Sequence, residues 1–196
     1  MSIDYLESID RAIVQAVNGW NSPFLDEFMW IVSGKLTWVP FYILLVALYI
    51  RKSNLLRGGV FLLCAIVTVA VADQVSVKMF KEVFERYRPS HHALLTDKLH
   101  FYKFENGEFY KGGQFGFVSS HAANFFAVVS FAYLVLKQYY RNIFIPLILC
   151  ASIVGYSRIY LGVHYLSDVL VGALLGIILA WIVYRFLFIV IIRKAK

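Results

Sequence analysis

Between two long apolar segments, the chain reads Ser157-Arg158-Ile159-Tyr160-Leu161-Gly162-Val163-His164-Tyr165-Leu166-Ser167-Asp168. His164 and Asp168 are four residues apart, so on a helix they share one face and the carboxylate can bond the imidazole. Such a bond fixes the tautomer of the histidine and leaves its other nitrogen free to attack or to transfer a proton. Arg158 can hold an anion in front of that nitrogen. Taken alone, the stretch fits a helix that begins with scattered polar residues equally well.

The composition indicates the class of protein. Of 196 residues, 60% are hydrophobic and 16% are charged, whereas soluble domains carry about 25% charged residues. A chain this short cannot enclose the very large core that a soluble fold of this composition would need. We therefore predict an integral membrane protein. The net charge of +7 would suggest nucleic acid in a soluble protein, but here the cations lie in short turns and in the polar stretch 78–111, so we expect no nucleic-acid partner.

Five apolar runs predict the segments that cross the membrane. They cover about residues 28–50, 58–80, 122–136, 143–156 and 169–192. A spanning helix needs about 20 residues, and the third and fourth runs reach that length only by including polar residues at their ends. We therefore expect these polar residues to lie at membrane depth or at the membrane surface.

The chain before the first run has a different pattern. Residues 3–20 carry apolar side chains at helical spacing and place charged ones such as Asp10 on the other face, which predicts an amphipathic helix in the interface plane. The predicted fold is all-α, a polytopic membrane helical bundle of about five transmembrane helices plus this N-terminal interfacial amphipathic helix. It forms a single membrane-embedded domain over 1–196, with the interfacial helix in 1–22 and a motif-bearing core in 58–190.

Basic residues predict the orientation of the bundle. They gather in the turn after the first run, in the turn between the third and fourth runs, and at the C-terminus. With five spans these three ends lie on one side, which should be the cytoplasm. The segment around Arg158 then faces the periplasm, and the short loops suggest a bacterial inner (cytoplasmic) membrane. The basic residues are Arg51, Lys52, Arg57, Lys137, Arg141, Arg193, Lys194 and Lys196.

A second group of charges ends the second run, which reads Lys81-Glu82-Val83-Phe84-Glu85-Arg86-Tyr87-Arg88-Pro89. Lys81 and Arg88 are seven residues apart, so two helical turns would bring them to one face, about 10 Å apart along the axis. Pro89 disfavours helix at Arg88 and could swing its guanidinium off the helix end. Read alone, these residues fit basic side chains that extend to lipid head groups equally well.

The third run opens with Gly112-Gly113-Gln114-Phe115-Gly116-Phe117-Val118-Ser119-Ser120-His121. An approach of this kind exposes backbone N–H groups at a helix start, where the helix dipole also favours an anion. Ser119 and Ser120 are good N-cap residues, and His121 falls in the first turn, where it could protonate a leaving oxygen. In isolation, an ordinary capped helix with an interfacial histidine explains this stretch better.

Together the three stretches place three cations, an N–H cradle, two histidines and one aspartate on the same side. This set suits phosphoryl transfer through a histidine, since cations neutralise the equatorial oxygens while one imidazole attacks and the other donates a proton. No carboxylate cluster suited to Mg²⁺ or Ca²⁺ accompanies it. We therefore predict no metal site and no cofactor, with the arginines and the lysine in place of a metal.

These motifs resemble those of the type 2 phosphatidic acid phosphatase superfamily of membrane lipid phosphatases, whose patterns are K-x6-R-P, P-S-G-H and S-R-x5-H-x3-D. In the second motif Ser119 and His121 match, whereas Val118 stands in place of proline and Ser120 in place of glycine. The resemblance covers about residues 58–190. The first and third motifs match without a gap at Lys81, Arg88 and Pro89, and at Ser157, Arg158, His164 and Asp168.

The resemblance implies a role for each matching residue. His164 would become a phosphohistidine, Asp168 would orient it, and His121 would be the general acid. Nearby backbone amides would help to bind the phosphate. Because the serine at position 120 keeps its N–H, we expect activity to survive that departure. The implied phosphate-binding residues are Lys81, Arg88, Ser119, Ser120 and Arg158.

The predicted function is a lipid phosphatase whose substrate phosphate lies at head-group level. Lipid A, undecaprenyl diphosphate and phosphatidylglycerol phosphate are the candidate substrates, and the loop 117–121 is similar to that of Bacteroidetes-type lipid phosphatases, including lipid A 4'-phosphatases. Two alternatives remain, a lipid-to-lipid phosphotransferase of the same fold and a non-enzymatic phospholipid-binding or transport protein. Beyond the lipid and the bilayer, we expect no obligate protein partner.

Three further features have structural explanations. Asp73 lies inside the second run, where a charge is costly, so we predict a structural pair with a nearby cation such as Lys78. Cys64 and Cys150 lie in apolar runs and are expected to be small buried hydrophobes without a disulfide or metal. The histidines of the polar loop, His91, His92 and His100, have no metal-ligand spacing and are predicted to be solvated.

Overall fold

The computed structural model describes residues 3–194, and within that range all the regular elements are helices. Lys196, one of the predicted basic residues at the C-terminus, lies outside the described residues. In chain order the helices are α1 (Ile3–Asn18), α2 (Pro23–Ser33), α3 (Val39–Ile50), α4 (Leu55–Phe84), α5 (Ser120–Leu136), α6 (Phe144–Tyr160) and α7 (Leu166–Lys194).

The described helices confirm an all-helical protein with apolar segments of spanning length. Helices α4 and α7, of 30 and 29 residues, are long and apolar enough to cross a membrane, and α2 with α3 passes the same test as a bent pair. Helices α5 and α6 are apolar but have 17 residues each, and these counts include polar motif residues at one end of each helix. Length and composition therefore give two or three spans, and the predicted number of about five is not confirmed.

The first apolar run is two helices instead of one. The axes of α2 and α3 differ by 73°, and the break falls at Gly34, after which the hydroxyl of Thr37 donates to the carbonyl of Ile31 at 2.6 Å. The indole of Trp38 donates to the carbonyl of Val32 at 2.8 Å, so side chains satisfy carbonyls that the interrupted helix leaves free. Pro40 then lies in the first turn of α3, where its missing N–H costs nothing.

Two glycines bring α5 and α7 into close contact. A Cβ atom at Gly172 would lie 2.7 Å from the carbonyl oxygen of Ser119, and one at Gly176 would lie 2.3 Å from that of Ala123. Small residues spaced by four allow this approach in membrane helices. Because both numbers rise together along the two helices, α5 and α7 are parallel and their N-termini lie at the same end of the bundle.

The amphipathic helix α1 is confirmed, but part of its polar face is buried. Asp10 and Asn18 are 6% and 2% exposed. The Asn18 amide donates to the carbonyls of His100 and Tyr160, both at 2.7 Å. Polar side chains therefore join α1 to the end of α6 and to the polar loop. The predicted position of α1 in the plane of the membrane interface stays a prediction.

The predicted pairing of Asp73 with Lys78 is wrong. Asp73 Oδ1 accepts a hydrogen bond from the side-chain amide of Asn124 on α5 at 3.0 Å. The backbone of α4 widens into a π-helical turn over Ser76–Lys81, the segment that carries Lys78. Cys64 is buried and Cys150 is half-buried, and both are free thiols.

Candidate active site

Four helix ends meet at one end of the bundle and carry the predicted site residues. Helices α4 to α7 alternate in direction, so the C-termini of α4 and α6 lie beside the N-termini of α5 and α7. The backbone N–H of Ser119, before α5, donates to the carbonyl of Asp168 in α7 at 3.0 Å. The second and third motifs, about 50 residues apart in the chain, are thus joined directly by the main chain.

His164 lies just before α7, in the turn that follows α6. It is 1% exposed. Gly162 adopts φ +68°, a left-handed conformation that glycine takes without strain and that ends α6. Helix α7 begins at Leu166, so the prediction that His164 and Asp168 share a helical face is wrong. They meet because Asp168 stands in the first helical turn and its Oδ2 reaches back, 3.4 Å from His164 Nδ1.

The contacts of His164 define its tautomer. Its Nε2 lies 2.8 Å from Nη1 of Arg88, and a guanidinium has donors but no acceptor. Nε2 must therefore be the unprotonated nitrogen, and Nδ1 carries the proton toward Asp168. Burial, followed by the positive charges of Arg88 and Arg158, lowers the pKa of His164 well below its usual value. The imidazole is therefore neutral, with a free electron pair on Nε2.

Arg88 is held away from the helix that precedes it. Helix α4 ends at Phe84, and Glu85 takes φ 45°, so the prediction that Lys81 and Arg88 share a helical face is wrong. Arg88 Nε donates to the carbonyl of Phe115, and Nη1 donates to that of Val163, both at 3.1 Å. Burial and then the charge of Arg158 lower the pKa of Arg88 to about 10, which leaves it charged at neutral pH.

The glycine-containing approach to α5 packs against Arg88. A Cβ atom at Gly112 would lie 3.3 Å from Arg88 Nη1, and one at Gly116 would lie 2.9 Å from Arg88 Cγ and 3.4 Å from Asp168 Oδ2. Gly112 also has φ +66°, which disfavours any other residue there. The glycines therefore make room for the guanidinium beside Asp168.

Arg158 approaches the site from the last turn of α6. It is 1% exposed. Its Nη1 donates to the hydroxyl of Ser33, and its Nη2 donates to the hydroxyl of Tyr110 at 2.7 Å. Among the described residues, Arg158 Nε has no hydrogen-bond partner. A buried donor without a partner is costly, so this N–H is available to an anion.

Lys81 lies in the last part of α4, and the two serines lie at the start of α5. Ser119 caps α5, and its hydroxyl accepts from the N–H of Ala122 at 3.4 Å. The ammonium of Lys81 donates to the hydroxyl of Ser120 at 2.7 Å. That hydroxyl also lies 2.7 Å from the hydroxyl of Ser76 in the π-helical turn. Ser120, the departure from the family glycine, thus contacts one of the predicted phosphate-binding cations.

His121 is half-buried in the first turn of α5. It directly follows Ser120, whose hydroxyl accepts from Lys81. Contacts join Arg88 to His164, His164 to Asp168, and Asp168 to the backbone of Ser119. The backbone N–H of His164 also donates to the carbonyl of Arg158 at 3.2 Å. The eight residues that the sequence analysis selected therefore lie on the helix ends that meet here.

The sequence analysis missed several residues at the site. Arg86 donates to Asp168, and Asp10 accepts from the backbone N–H of its neighbour Ser167. The hydroxyls of Ser33 and Tyr110 accept from Arg158. Arg86 lies within the first motif stretch, but none of the other three stands in a motif. Within residues 3–194, no group of three or more His, Cys, Asp or Glu side chains is arranged to hold a metal ion.

Known proteins resemble this chain along most of its length. The model of the PAP2 superfamily matches residues 58–191. A lipid A 4'-phosphatase of Porphyromonas gingivalis is 33% identical over an alignment of 187 positions that covers 93% of this chain and 75% of that protein. A lipid A 4'-phosphatase of Bacteroides thetaiotaomicron is 32% identical over 183 residues, which are 93% of this chain and 78% of that protein.

A solved structure shares the fold. The crystal structure of a transmembrane PAP2-type phosphatidylglycerolphosphate phosphatase from Bacillus subtilis superposes with a TM-score of 0.67 at 26% identity, covering 93% of this chain and 86% of that chain. The predicted family and the predicted class of enzyme are confirmed. The chain belongs to the PAP2 superfamily of membrane lipid phosphatases.

Proposed function

We propose that this enzyme removes a phosphate group from a lipid of the bacterial envelope, with lipid A as the leading substrate, through a covalent phosphohistidine at His164. The observation that carries the proposal is the environment of His164. Its unprotonated Nε2 faces Arg88 at 2.8 Å, and its Nδ1 faces Asp168 at 3.4 Å. A neutral imidazole with a fixed tautomer, surrounded by cations, is suited to attack a phosphate.

In the first step, Nε2 of His164 forms a bond to phosphorus while the bond from phosphorus to the lipid oxygen breaks. The leaving oxygen takes a proton from His121, whose protonated form is favoured by the negative charge of the bound phosphate. Lys81, Arg88 and Arg158 stabilise the charge on the phosphoryl oxygens. When Nε2 bonds to phosphorus, the ring of His164 becomes positively charged, and the Asp168 carboxylate stabilises this charge through the Nδ1–H.

In the second step, water attacks phosphorus and gives a proton to His121. The bond between phosphorus and Nε2 breaks and returns its electron pair to His164, and inorganic phosphate leaves. His121 thus acts first as the acid and then as the base. Ser119, Ser120 and the first N–H groups of α5 are proposed to contact the phosphate from the side of that helix.

The proposal of lipid A is supported by two relatives of that name, each more than 30% identical. A cavity of about 400 Å³ reaches Arg86 and Ser167, which contact Asp168 or lie next to it, and its mostly apolar lining also includes Glu7 and Asp10. An apolar cavity beside a cationic site suits a phosphate joined to hydrocarbon chains. The 26% identity to a phosphatidylglycerolphosphate phosphatase favours phosphatidylglycerol phosphate as the second candidate. The apolar side chains that line the cavity include Leu6, Ile9, Ile13, Phe84, Phe117 and Leu170.

We further propose that the bundle crosses a bacterial inner membrane five times, with the bent pair α2–α3 as the first span and the active site toward the periplasm. The basic turns 51–57 and 137–141 and the residues after 192 then lie on the cytoplasmic side, as the charge rule expects. The site residues lie at the opposite helix ends, at the depth of the head groups.

Phosphate release tests the proposal directly. Purified enzyme in detergent with EDTA is given lipid A, undecaprenyl diphosphate, phosphatidylglycerol phosphate or phosphatidic acid, each beside the His164→Ala variant. We expect release that persists in EDTA, is fastest with lipid A and is absent in the variant. Transfer of phosphate to a second lipid without release would support the phosphotransferase instead. Full activity of His164→Ala would contradict the proposal.

A further inference from the structure

Arg86 lies between two carboxylates that belong to different helices. Its Nη1 donates to Asp168 Oδ1 and its Nη2 donates to Asp10 Oδ2, both at 2.9 Å. Both carboxylate side chains are nearly inaccessible, with 8% of Asp10 and 1% of Asp168 exposed. The contacts therefore form a continuous chain from Asp10 on α1, through Arg86 and Asp168, to His164.

Each oxygen of Asp168 has separate partners. Oδ2 accepts from the N–H of Tyr165 at 3.0 Å and faces His164, whereas Oδ1 accepts from Arg86. A buried carboxylate is costly unless a cation pairs with it. Arg86 supplies this positive charge, and because it bonds Oδ1 it keeps the carboxylate from rotating. Oδ2 consequently stays directed at Nδ1 of His164.

Asp10 fixes the other end of the guanidinium. Its Oδ1 accepts from the N–H of Ser167 at 3.0 Å and its Oδ2 accepts from the Ser167 hydroxyl. Arg86 also donates to that hydroxyl at 2.7 Å and lies 4.3 Å from the ring of Tyr165. Burial alone would lower the pKa of Arg86, but Asp168 and Asp10 outweigh it and raise this pKa. Through these contacts Asp10 keeps Arg86 oriented toward Asp168.

We infer that Asp10 and Arg86 are positioning residues of the active site, which act on His164 through Asp168. The N-terminal helix, which lies outside the family match of 58–191, thereby contributes to catalysis. This inference rests on the proposed roles of His164 and Asp168. It predicts that loss of Asp10 slows the chemical step without weakening the binding of the phosphate.

A double-mutant cycle tests the inference. We expect Asp10→Asn, which keeps the shape and removes the charge, to lower kcat about tenfold with KM unchanged, because a small misplacement of a catalytic group is costly. Arg86→Gln should lower kcat about 100-fold. If Asp10 acts through Arg86, the double variant is no slower than Arg86→Gln alone. The matched control is Asp4→Asn on the exposed surface of α1, which should behave as wild type.

Several results would overturn the inference. They are a wild-type kcat for Asp10→Asn, effects that multiply in the double variant, or a lower kcat accompanied by a raised KM and a lowered melting temperature. Failure of lipid A as the substrate can be distinguished from failure of this inference, because the ratio of variant to wild-type kcat can also be measured with phosphatidylglycerol phosphate.

Binding of orthovanadate, measured by calorimetry, gives a readout without turnover. Asp10→Asn should weaken the binding of orthovanadate about tenfold, because a transition-state analogue binds according to the position of the nucleophile. Unchanged binding would count against the inference.

Discussion

The hydrogen bond between Arg88 Nη1 and His164 Nε2, 2.8 Å long, occupies the nitrogen that must attack phosphorus. A bound phosphate therefore has to replace this contact and accept the same N–H group on one of its own oxygens. The Nε of Arg88 is fixed by the carbonyl of Phe115, so only the end of the guanidinium has to adjust. The same residue thus holds the resting tautomer of His164 and then binds the substrate.

Replacement of Arg88 by lysine keeps the positive charge but should still lower the activity. Lysine is a point charge without the rigid fork of arginine, so it cannot contact Phe115, Val163 and His164 together. We expect Arg88→Lys to lower kcat/KM about 100-fold, as loss of one preorganised donor does, measured by phosphate release. Arg141→Lys in an exposed turn is the matched control. Equal activity of the two variants would contradict the role of Arg88.

The protonation of His164 gives a second prediction. Burial and Arg88 lower its pKa well below 6.5, so the folded protein does not protonate this ring while pH falls through 6.5. Histidine Cε1 signals in nuclear magnetic resonance, assigned with His164→Gln, should show a neutral ring at about pH 6. Since the unfolded chain takes up that proton, the free energy of unfolding should fall as pH drops below about 6.5. A midpoint of titration near 6.5 for His164 would disagree with the structure.

Ser120 offers a third prediction. Its hydroxyl contacts Lys81 and Ser76, each at 2.7 Å, so it holds the ammonium in place before the phosphate binds. Ser120→Ala should raise KM about threefold and leave kcat within about twofold, because one hydrogen bond to a charged group is lost at the binding stage. Activity assays over a range of lipid concentrations measure both constants. If Ser120→Ala abolished kcat, the hydroxyl would have a direct part in the chemistry.

The contact between α5 and α7 gives a fourth prediction. A Cβ atom at Gly176 would lie 2.3 Å from the carbonyl of Ala123, whereas one at Gly59 would meet nothing within 4 Å. Gly176→Val should lower the free energy of unfolding by about 1–3 kcal/mol, since overpacking forces the helices apart. It should also lower activity, because Ser119 and Asp168 are joined across this contact. Thermal unfolding in detergent, with Gly59→Val as the matched control, decides the matter, and equal melting temperatures would refute the close packing.

The sequence predicts the site better than it predicts the local geometry. Lys81, Arg88, Arg158 and His164 stand in motifs that resemble those of a known family, and this resemblance together with the needs of phosphoryl transfer implies the site. Their helical placement was predicted less well. Gly162 ends α6 before His164, and α4 ends before Arg88, so tertiary contacts rather than helical periodicity bring these residues together.

Asp10 shows what the sequence cannot reveal. In an amphipathic helix, an acidic residue on the polar face is expected to meet water or head groups. It is buried here because Arg86 and Ser167, distant in the chain, supply its partners.

The number of spans is hard to predict from the apolar runs. The third and fourth runs end in polar residues that the site needs, so their apolar length underestimates the helices.

The most direct test of the account is to trap the phosphoenzyme. The enzyme is mixed with lipid A labelled at its phosphate, quenched within one turnover and digested, and the labelled peptide is identified by mass spectrometry. We predict that the label lies on His164, resists base, is lost in acid, and is absent from His164→Ala. Label on another residue, or phosphate release by wild-type enzyme without any labelled histidine, would contradict the proposed mechanism.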